Sequence, residues 1–106
     1  MKTRILIFSG LILVVILTGC VQQKSEENPA IAKCISECKG RLALGEDLKN
    51  GPCISDDIYP SWVCDVAHSP RQQVDNIPEN QCSAFRDGKA NHFVEVDEGC
   101  NLIRAL

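Results

Sequence analysis

This chain of 106 residues has little of what metal sites and nucleotide sites usually require. It has only two histidines, and no two of its seven cysteines are spaced Cys-x-x-Cys. Because zinc ligands usually come in such close pairs, we expect no metal site and no cofactor. The glycines are scattered, so a glycine-rich phosphate-binding loop is excluded, and no Gly-x-Ser-x-Gly motif marks a nucleophilic serine. We therefore predict no catalytic residues.

Positive charge is also scarce. Eleven lysines and arginines stand against fourteen aspartates and glutamates, a net charge of −3, and no basic patch is interleaved with aromatic residues. This balance argues against a nucleic-acid partner. It also argues against electrostatic adhesion to an anionic membrane surface.

The one long apolar run is too short to cross a membrane. It covers residues 5–17, follows the basic Lys2 and Arg4, and falls short of the roughly 20 residues that a spanning helix needs. Leu17-Thr18-Gly19-Cys20 comes directly after it. This arrangement predicts a cleaved signal peptide over residues 1–19, with an ordinary secretory signal or an uncleaved anchor as the alternative.

These four residues resemble the lipobox of prokaryotic lipoproteins. The resemblance implies a diacylglycerol-type lipid in thioether linkage to Cys20, the first residue of the mature protein. Two acyl chains give stable membrane association, so the expected location is on the membrane, facing outside the cytoplasm, in a periplasm or at a cell surface. Residues 20–28 are polar and predict a short tether, and residues 29–106 predict one folded domain.

The remaining cysteines predict disulfides. An even number in a small exported domain is typical of a disulfide framework, and a core of this size supplies only about 3–5 kcal/mol. Each bridge adds about 2–4 kcal/mol. Spacing leaves open which of the possible pairings forms. The six are Cys34, Cys38, Cys53, Cys64, Cys82 and Cys100.

Secondary-structure signals favour a small α+β domain, with one N-terminal helix packed on a short antiparallel sheet. Asn28-Pro29 is a helix start, Gly45 a helix stop, and apolar residues between them recur at helical spacing. Cys34 and Cys38 lie one turn apart on that apolar face, so we expect each to bond a different later segment. The pattern further predicts a strand at 62–68, a hairpin over 82–97, an edge strand or packed tail at 101–106, and connections at 46–60 and 69–81.

Five polar residues on or beside the predicted strands are candidates for a ligand site: Asp65, His68, Arg71, His92 and Glu95. If the strands of His68 and His92 are neighbours, two imidazoles and a carboxylate could bind a metal or exchange protons. Arg71, in the long loop, could hold an anion in a forked geometry. The alternatives are structural: strand-end hydrogen bonds for the histidines, and an Arg–Asp pair that orders the loop.

The mature part carries a second resemblance. The segments 51–53, 62–71 and 92–96 resemble those of small, cysteine-rich archaeal lipoproteins without an assigned activity. The resemblance favours an archaeal over a bacterial source, in which case the anchoring lipid would be of ether type, and it brings no catalytic residues.

We expect a membrane-anchored binding or surface-interaction module rather than an enzyme, with a protein or a small molecule as its ligand. Two alternatives remain open. One is a small enzyme that uses His68 and His92 for a metal or ligand. The other is a protease inhibitor, because disulfide-dense miniature domains often present a rigid loop to an enzyme.

Overall fold

The computed structural model describes residues 28–106, so the predicted signal peptide, Cys20 and nearly all of the tether lie outside the described residues. Residues 28–106 form a small α+β domain, which confirms the predicted fold class. No helix in this part of the chain has the length and hydropathy needed to cross a membrane. In chain order the elements are α1 (Pro29–Ala43), β1 (Cys53–Tyr59), β2 (Trp62–Val66), α2 (Ser83–Arg86), β3 (His92–Val96) and β4 (Leu102–Ala105).

Helix α1 begins and ends where its sequence signals predict. The Asn28 side chain accepts a hydrogen bond from the Ala30 N–H at 2.8 Å, and Pro29 occupies the first helical position, where it loses no intrahelical bond. At the other end Gly45 adopts a φ of 87°, which glycine reaches without the steric cost of a Cβ.

The sheet has the strand order β1-β2-β3-β4, and its central pair is parallel. The predicted hairpin over 82–97 is therefore wrong, and so is the expectation that the sheet is antiparallel throughout. Residues 83–86 form α2, and Asp87-Gly88 ends that helix instead of joining two strands. A parallel return needs a connection of a dozen or more residues, which the stretch from the end of β2 to the start of β3 supplies.

A strand also lies where the sequence predicts only a connection. β1 occupies most of the second half of segment 46–60 and pairs antiparallel with β2. Its polar Ser55-Asp56-Asp57 breaks the apolar alternation that marks a strand, and its register with β2 is irregular at the same point. At the C-terminus, β4 is the edge strand that was one of the two alternatives.

The two faces of the sheet are covered differently. Helix α1 covers the face that carries Cys64, Val66, Val94 and Val96, all at most 1% exposed. The opposite face has a smaller apolar cluster around Val63, packed under residues 82–90. Successive strand side chains point to opposite faces, so Asp65 and Glu95 lie on this second, partly open face.

Three disulfides hold these layers together. Cys34 bonds Cys64 in β2, and Cys38 bonds Cys100 in the turn before β4. The third bond joins Cys53 at the start of β1 to Cys82 in front of α2. The prediction that Cys34 and Cys38 bond different later segments is confirmed, and the helix is clamped to both halves of the sheet.

Candidate functional site

A cleft of about 420 Å³ lies on the sheet face opposite α1. The floor comes from β2, β3 and β4, and the walls come from the long loop and from α2. The volume falls within the range of small-molecule sites. The residues that line it are Val63, Asp65, Arg71, Gln81, Cys82, Phe85, Arg86, Phe93, Glu95 and Arg104.

Two carboxyl groups lie side by side in the floor. Asp65 and Glu95 are register partners on the parallel strands β2 and β3, which run about 4.8 Å apart. Glu95 is held by two guanidinium groups: Arg104 Nε lies 3.0 Å from Oε1, and Arg71 Nη1 lies 3.3 Å from Oε2. The two guanidinium groups therefore balance the negative charge of Glu95, and both of its carboxylate oxygens accept hydrogen bonds.

Asp65 has a different environment. Its Oδ1 is buried and has no hydrogen-bond partner among the described residues. The pKa of Asp65 is raised to about 8, first by burial and then by the negative charge of Glu95, while the Arg71 guanidinium acts in the opposite direction. Asp65 is therefore mostly a neutral carboxylic acid at pH 7 and can donate a hydrogen bond.

Arg71 is positioned by its own loop. Its Nε donates to Asn76 Oδ1 at 2.8 Å, and its Nη2 donates to the Asp75 carbonyl at 3.0 Å. The alternative of an Arg–Asp pair in this loop is not what forms: Arg71 contacts Asp75 only at its backbone carbonyl, and its ion pair is with Glu95. The Asp75 carboxylate has another function.

The Asp75 carboxylate anchors the loop from inside. Its side chain is fully buried and accepts hydrogen bonds from the backbone N–H groups of His68 (3.1 Å) and Gln72 (2.9 Å). Burial alone would raise the pKa of Asp75, but the Gln72 and His68 hydrogen bonds outweigh it and hold that pKa below its usual value. The loop is therefore ordered around one buried charge.

His68 completes this anchor. Its Nδ1 lies 2.9 Å from Asp75 Oδ1, and its Nε2 lies 3.3 Å from Glu98 Oε1. A smaller hollow of about 250 Å³ separates it from the cleft, with Arg71, Glu95 and Arg104 as the shared wall. The imidazole is thus engaged on both nitrogens, and it borders the site without lining the cleft.

Gly51 makes room for the same carboxylate. A Cβ at this position would lie 2.8 Å from Asp75 Oδ1 and 3.0 Å from the Val66 carbonyl oxygen, and its φ is 69°. We expect Gly51→Ala to lower the free energy of unfolding by about 3 kcal/mol, since a backbone clash adds to the strain of a positive φ. Urea unfolding followed by circular dichroism measures the change.

Gly88→Ala is the matched control for this prediction. Gly88 also has a positive φ, 80°, but a Cβ there would meet nothing within 4 Å. It should cost only the conformational strain of about 1 kcal/mol. Equal losses in the two variants would show that the space beside Asp75 is irrelevant.

His92 lies away from the other four candidates. It begins β3 beside Trp62, with the two rings stacked at a centroid distance of 4.6 Å. His68 lies two residues beyond the opposite end of β2, so the whole length of that strand, about 13 Å, lies between the histidines. The structure brings Asp65, Arg71 and Glu95 together, places His68 behind them, and does not bring His68 and His92 together.

Of the ten residues that line the cleft, three were predicted ligand-site candidates and seven were not, among them Phe85, Arg86, Phe93 and Arg104. A signal existed for Phe93, because it lies two residues before Glu95 in a strand and therefore shares its face. Arg104 could be placed in the cleft only from the register of β4 with β3, in which it is the partner of Glu95. Phe85 and Arg86 could be placed in the cleft only from helix α2, where the sequence predicts a hairpin arm instead.

No protein-family model, no curated protein and no solved structure matches the chain.

The cleft suits ligand binding better than metal chemistry. Among residues 28–106, the one cluster with metal-ligand geometry is Cys53, Asp56 and Cys82, and its two sulfurs are bonded to each other. The cleft instead offers a hydrogen-bond donor from Asp65, guanidinium groups and aromatic rings. These are the few polar groups on an apolar background that orient a small molecule.

Proposed function

We propose that this protein is a lipid-anchored, extracytoplasmic binding protein whose cleft holds a small ligand. The observation that carries the proposal is Asp65, a residue that lines a ligand-sized cleft and whose buried Oδ1 has no hydrogen-bond partner among the described residues. Buried polar atoms are nearly always paired, and leaving one unpaired costs about 1–3 kcal/mol. A bound ligand supplies the missing partner.

The state of Glu95 favours binding over acid–base catalysis. A neutral acid beside a carboxylate is a common catalytic pair. Here, however, both oxygens of Glu95 are engaged by Arg71 and Arg104, so neither oxygen is free to take a proton from a substrate or to attack it. The pair is suited to holding a ligand in place.

The lipid anchor rests on the lipobox resemblance and on the tether. About eight polar residues separate Cys20 from helix α1. Extended, they reach about 26 Å, so the domain stays close to the lipid headgroups. Anchoring keeps a receptor at the surface where its ligand arrives.

Mass spectrometry of the protein purified from membranes tests the anchor. We expect a chain that starts at Cys20, carries a lipid and has lost six hydrogens to its disulfides. The Cys20→Ser variant should leave the membrane fraction with its fold intact. An unmodified Cys20 in the membrane-derived protein would refute lipid attachment.

Amide chemical shifts of the domain, recorded with small organic probes, test the cleft. Aromatic acids, amides and amines of similar shape serve as the set. We expect at least one class to shift the amides around Asp65 and Glu95 while leaving those of helix α1 in place. If every probe leaves the cleft amides unchanged, the binding function is wrong.

A further inference from the structure

We propose, on the basis of the binding function above, that the ligand is a small organic carboxylate with an aromatic or similarly apolar body. Arginine placement is the first support. Residues 28–106 contain four arginines, and three of them line the cleft: Arg71, Arg86 and Arg104. The fourth, Arg41, donates to the Ile54 carbonyl on the other side of the sheet.

The charge of the cleft is opposite to that of the domain. Residues 28–106 carry eight basic and twelve acidic side chains, whereas three arginines face only Glu95 and the protonated Asp65 in the cleft. A local positive excess on an acidic protein attracts anions into that cleft.

Unused donors point the same way. A guanidinium has five N–H donors. Among the described residues, Arg104 donates a hydrogen bond only through Nε, to Glu95, and Arg86 donates one only through Nη1, to the Pro78 carbonyl. Arg86 forms no ion pair with any other of residues 28–106. The cleft therefore has more donors than acceptors, and a ligand rich in acceptors completes it.

The apolar side of the cleft defines the rest of the ligand. Phe85 and Phe93 meet edge to face with centroids 5.1 Å apart, and Arg104 lies 5.3 Å above the Phe93 ring. Val63 lies on the same face of β2 as Asp65. An apolar group packed here excludes water from the polar contacts and strengthens them.

Asp65 and Glu95 favour a carboxylate over a phosphate. A singly charged carboxylate can accept a hydrogen bond from the protonated carboxyl of Asp65. It can also form a bidentate pair with the Arg86 guanidinium. A doubly charged phosphate would need more positive charge to balance it, and Arg71 and Arg104 are already paired with Glu95. The preferred anion is thus the one with the lower charge.

Isothermal titration at pH 7 with four probes tests the ligand class. Phenylacetate should bind with a Kd on the order of 1 mM, the strength expected of a fragment of this size. Phenylacetamide has the same shape without the charge, acetate lacks the ring, and phenyl phosphate has a head that is mostly doubly charged at pH 7. Each should bind at least about tenfold more weakly, the ratio that about 1.4 kcal/mol produces.

Two charge variants locate the binding. Arg86→Gln should weaken phenylacetate binding about tenfold, because it removes a cleft cation. Lys49→Gln removes an exposed cation outside the cleft and should leave the Kd unchanged. Arg86→Lys, which keeps the charge, should recover part of the affinity.

The outcomes separate this inference from the binding function. If the amide or an amine shifts the cleft amides as strongly as phenylacetate does, the function stands and the carboxylate class is wrong. If phenyl phosphate binds more tightly, the class is phosphate-like. Equal effects of Arg86→Gln and Lys49→Gln would mean that the arginines of the cleft do not select the ligand.

Discussion

Asp65→Asn should remove most of the pH dependence of stability between pH 5 and pH 9. In the folded protein the pKa of Asp65 is raised to about 8, first by burial and then by the charge of Glu95. In the unfolded chain the same carboxyl has a pKa of about 3.9. The folded state therefore binds more protons across this window, and the free energy of unfolding falls as the pH rises.

One pKa unit corresponds to about 1.4 kcal/mol, and relaxation and water entry reduce the full value. We expect the wild type to lose about 3 kcal/mol between pH 5 and pH 9. Asp65→Asn should be nearly level there, and more stable than the wild type at pH 9, since asparagine carries no charge to bury. Urea midpoints measured in half-unit pH steps give both curves.

Asp87→Asn serves as the control, because Asp87 is exposed at the end of α2. It should follow the wild-type curve. Asp75 and Asp97 do not interfere, since hydrogen bonds hold their pKa values below the usual range, and their stabilisation is lost only in acid. Parallel curves for the wild type and Asp65→Asn would show that the buried carboxyl is not protonated.

Removing the disulfide between Cys38 and Cys100 should have the largest effect of any single bridge. It closes the longest loop, with a sequence separation of 62, against 30 and 29 for the other two. The chain-entropy relation assigns it about 4 kcal/mol, and truncating two almost fully buried cysteines adds a cavity. The double variant Cys38→Ala/Cys100→Ala should be unfolded at 37 °C, because a core this small supplies no more than that.

The matched comparison is Cys53→Ala/Cys82→Ala. This bridge closes a shorter loop and belongs to the smaller apolar cluster, so the variant should stay folded at 25 °C with a lower melting temperature. Thermal unfolding followed by circular dichroism distinguishes the two. The prediction fails if the Cys38/Cys100 variant melts at or above the temperature of the Cys53/Cys82 variant.

Helix α1 illustrates what local sequence predicts well. The capping oxygen of Asn28, the ring of Pro29 and the φ of Gly45 act within a few residues of the helix ends. The apolar spacing likewise orients Cys34 and Cys38 toward the sheet. Each of these effects is decided by neighbours in sequence, and each prediction is confirmed.

Helix α2 shows why the sheet was harder to predict. Asp87-Gly88 is compatible with both a hairpin turn and a helix end, because a positive φ at glycine serves either. Packing over the sheet, through Ala84 and the Cys53–Cys82 bridge, selects the helix. As a result β3 pairs in parallel with β2 and not with residues 82–86.

The candidate site likewise has features that the sequence predicts and features that depend on the fold. The sequence alone establishes that six cysteines remain once Cys20 is assigned to the predicted lipid, that α1 is a helix, and that Asp65 and Glu95 lie in strands. Only the tertiary structure decides that these two carboxyls are neighbours, that Arg71 and Arg104 neutralise one of them, and that His68 and His92 lie apart. The reason is physical: side-chain periodicity is set within a strand, whereas strand pairing, register and disulfide partners depend on contacts between residues far apart in the chain.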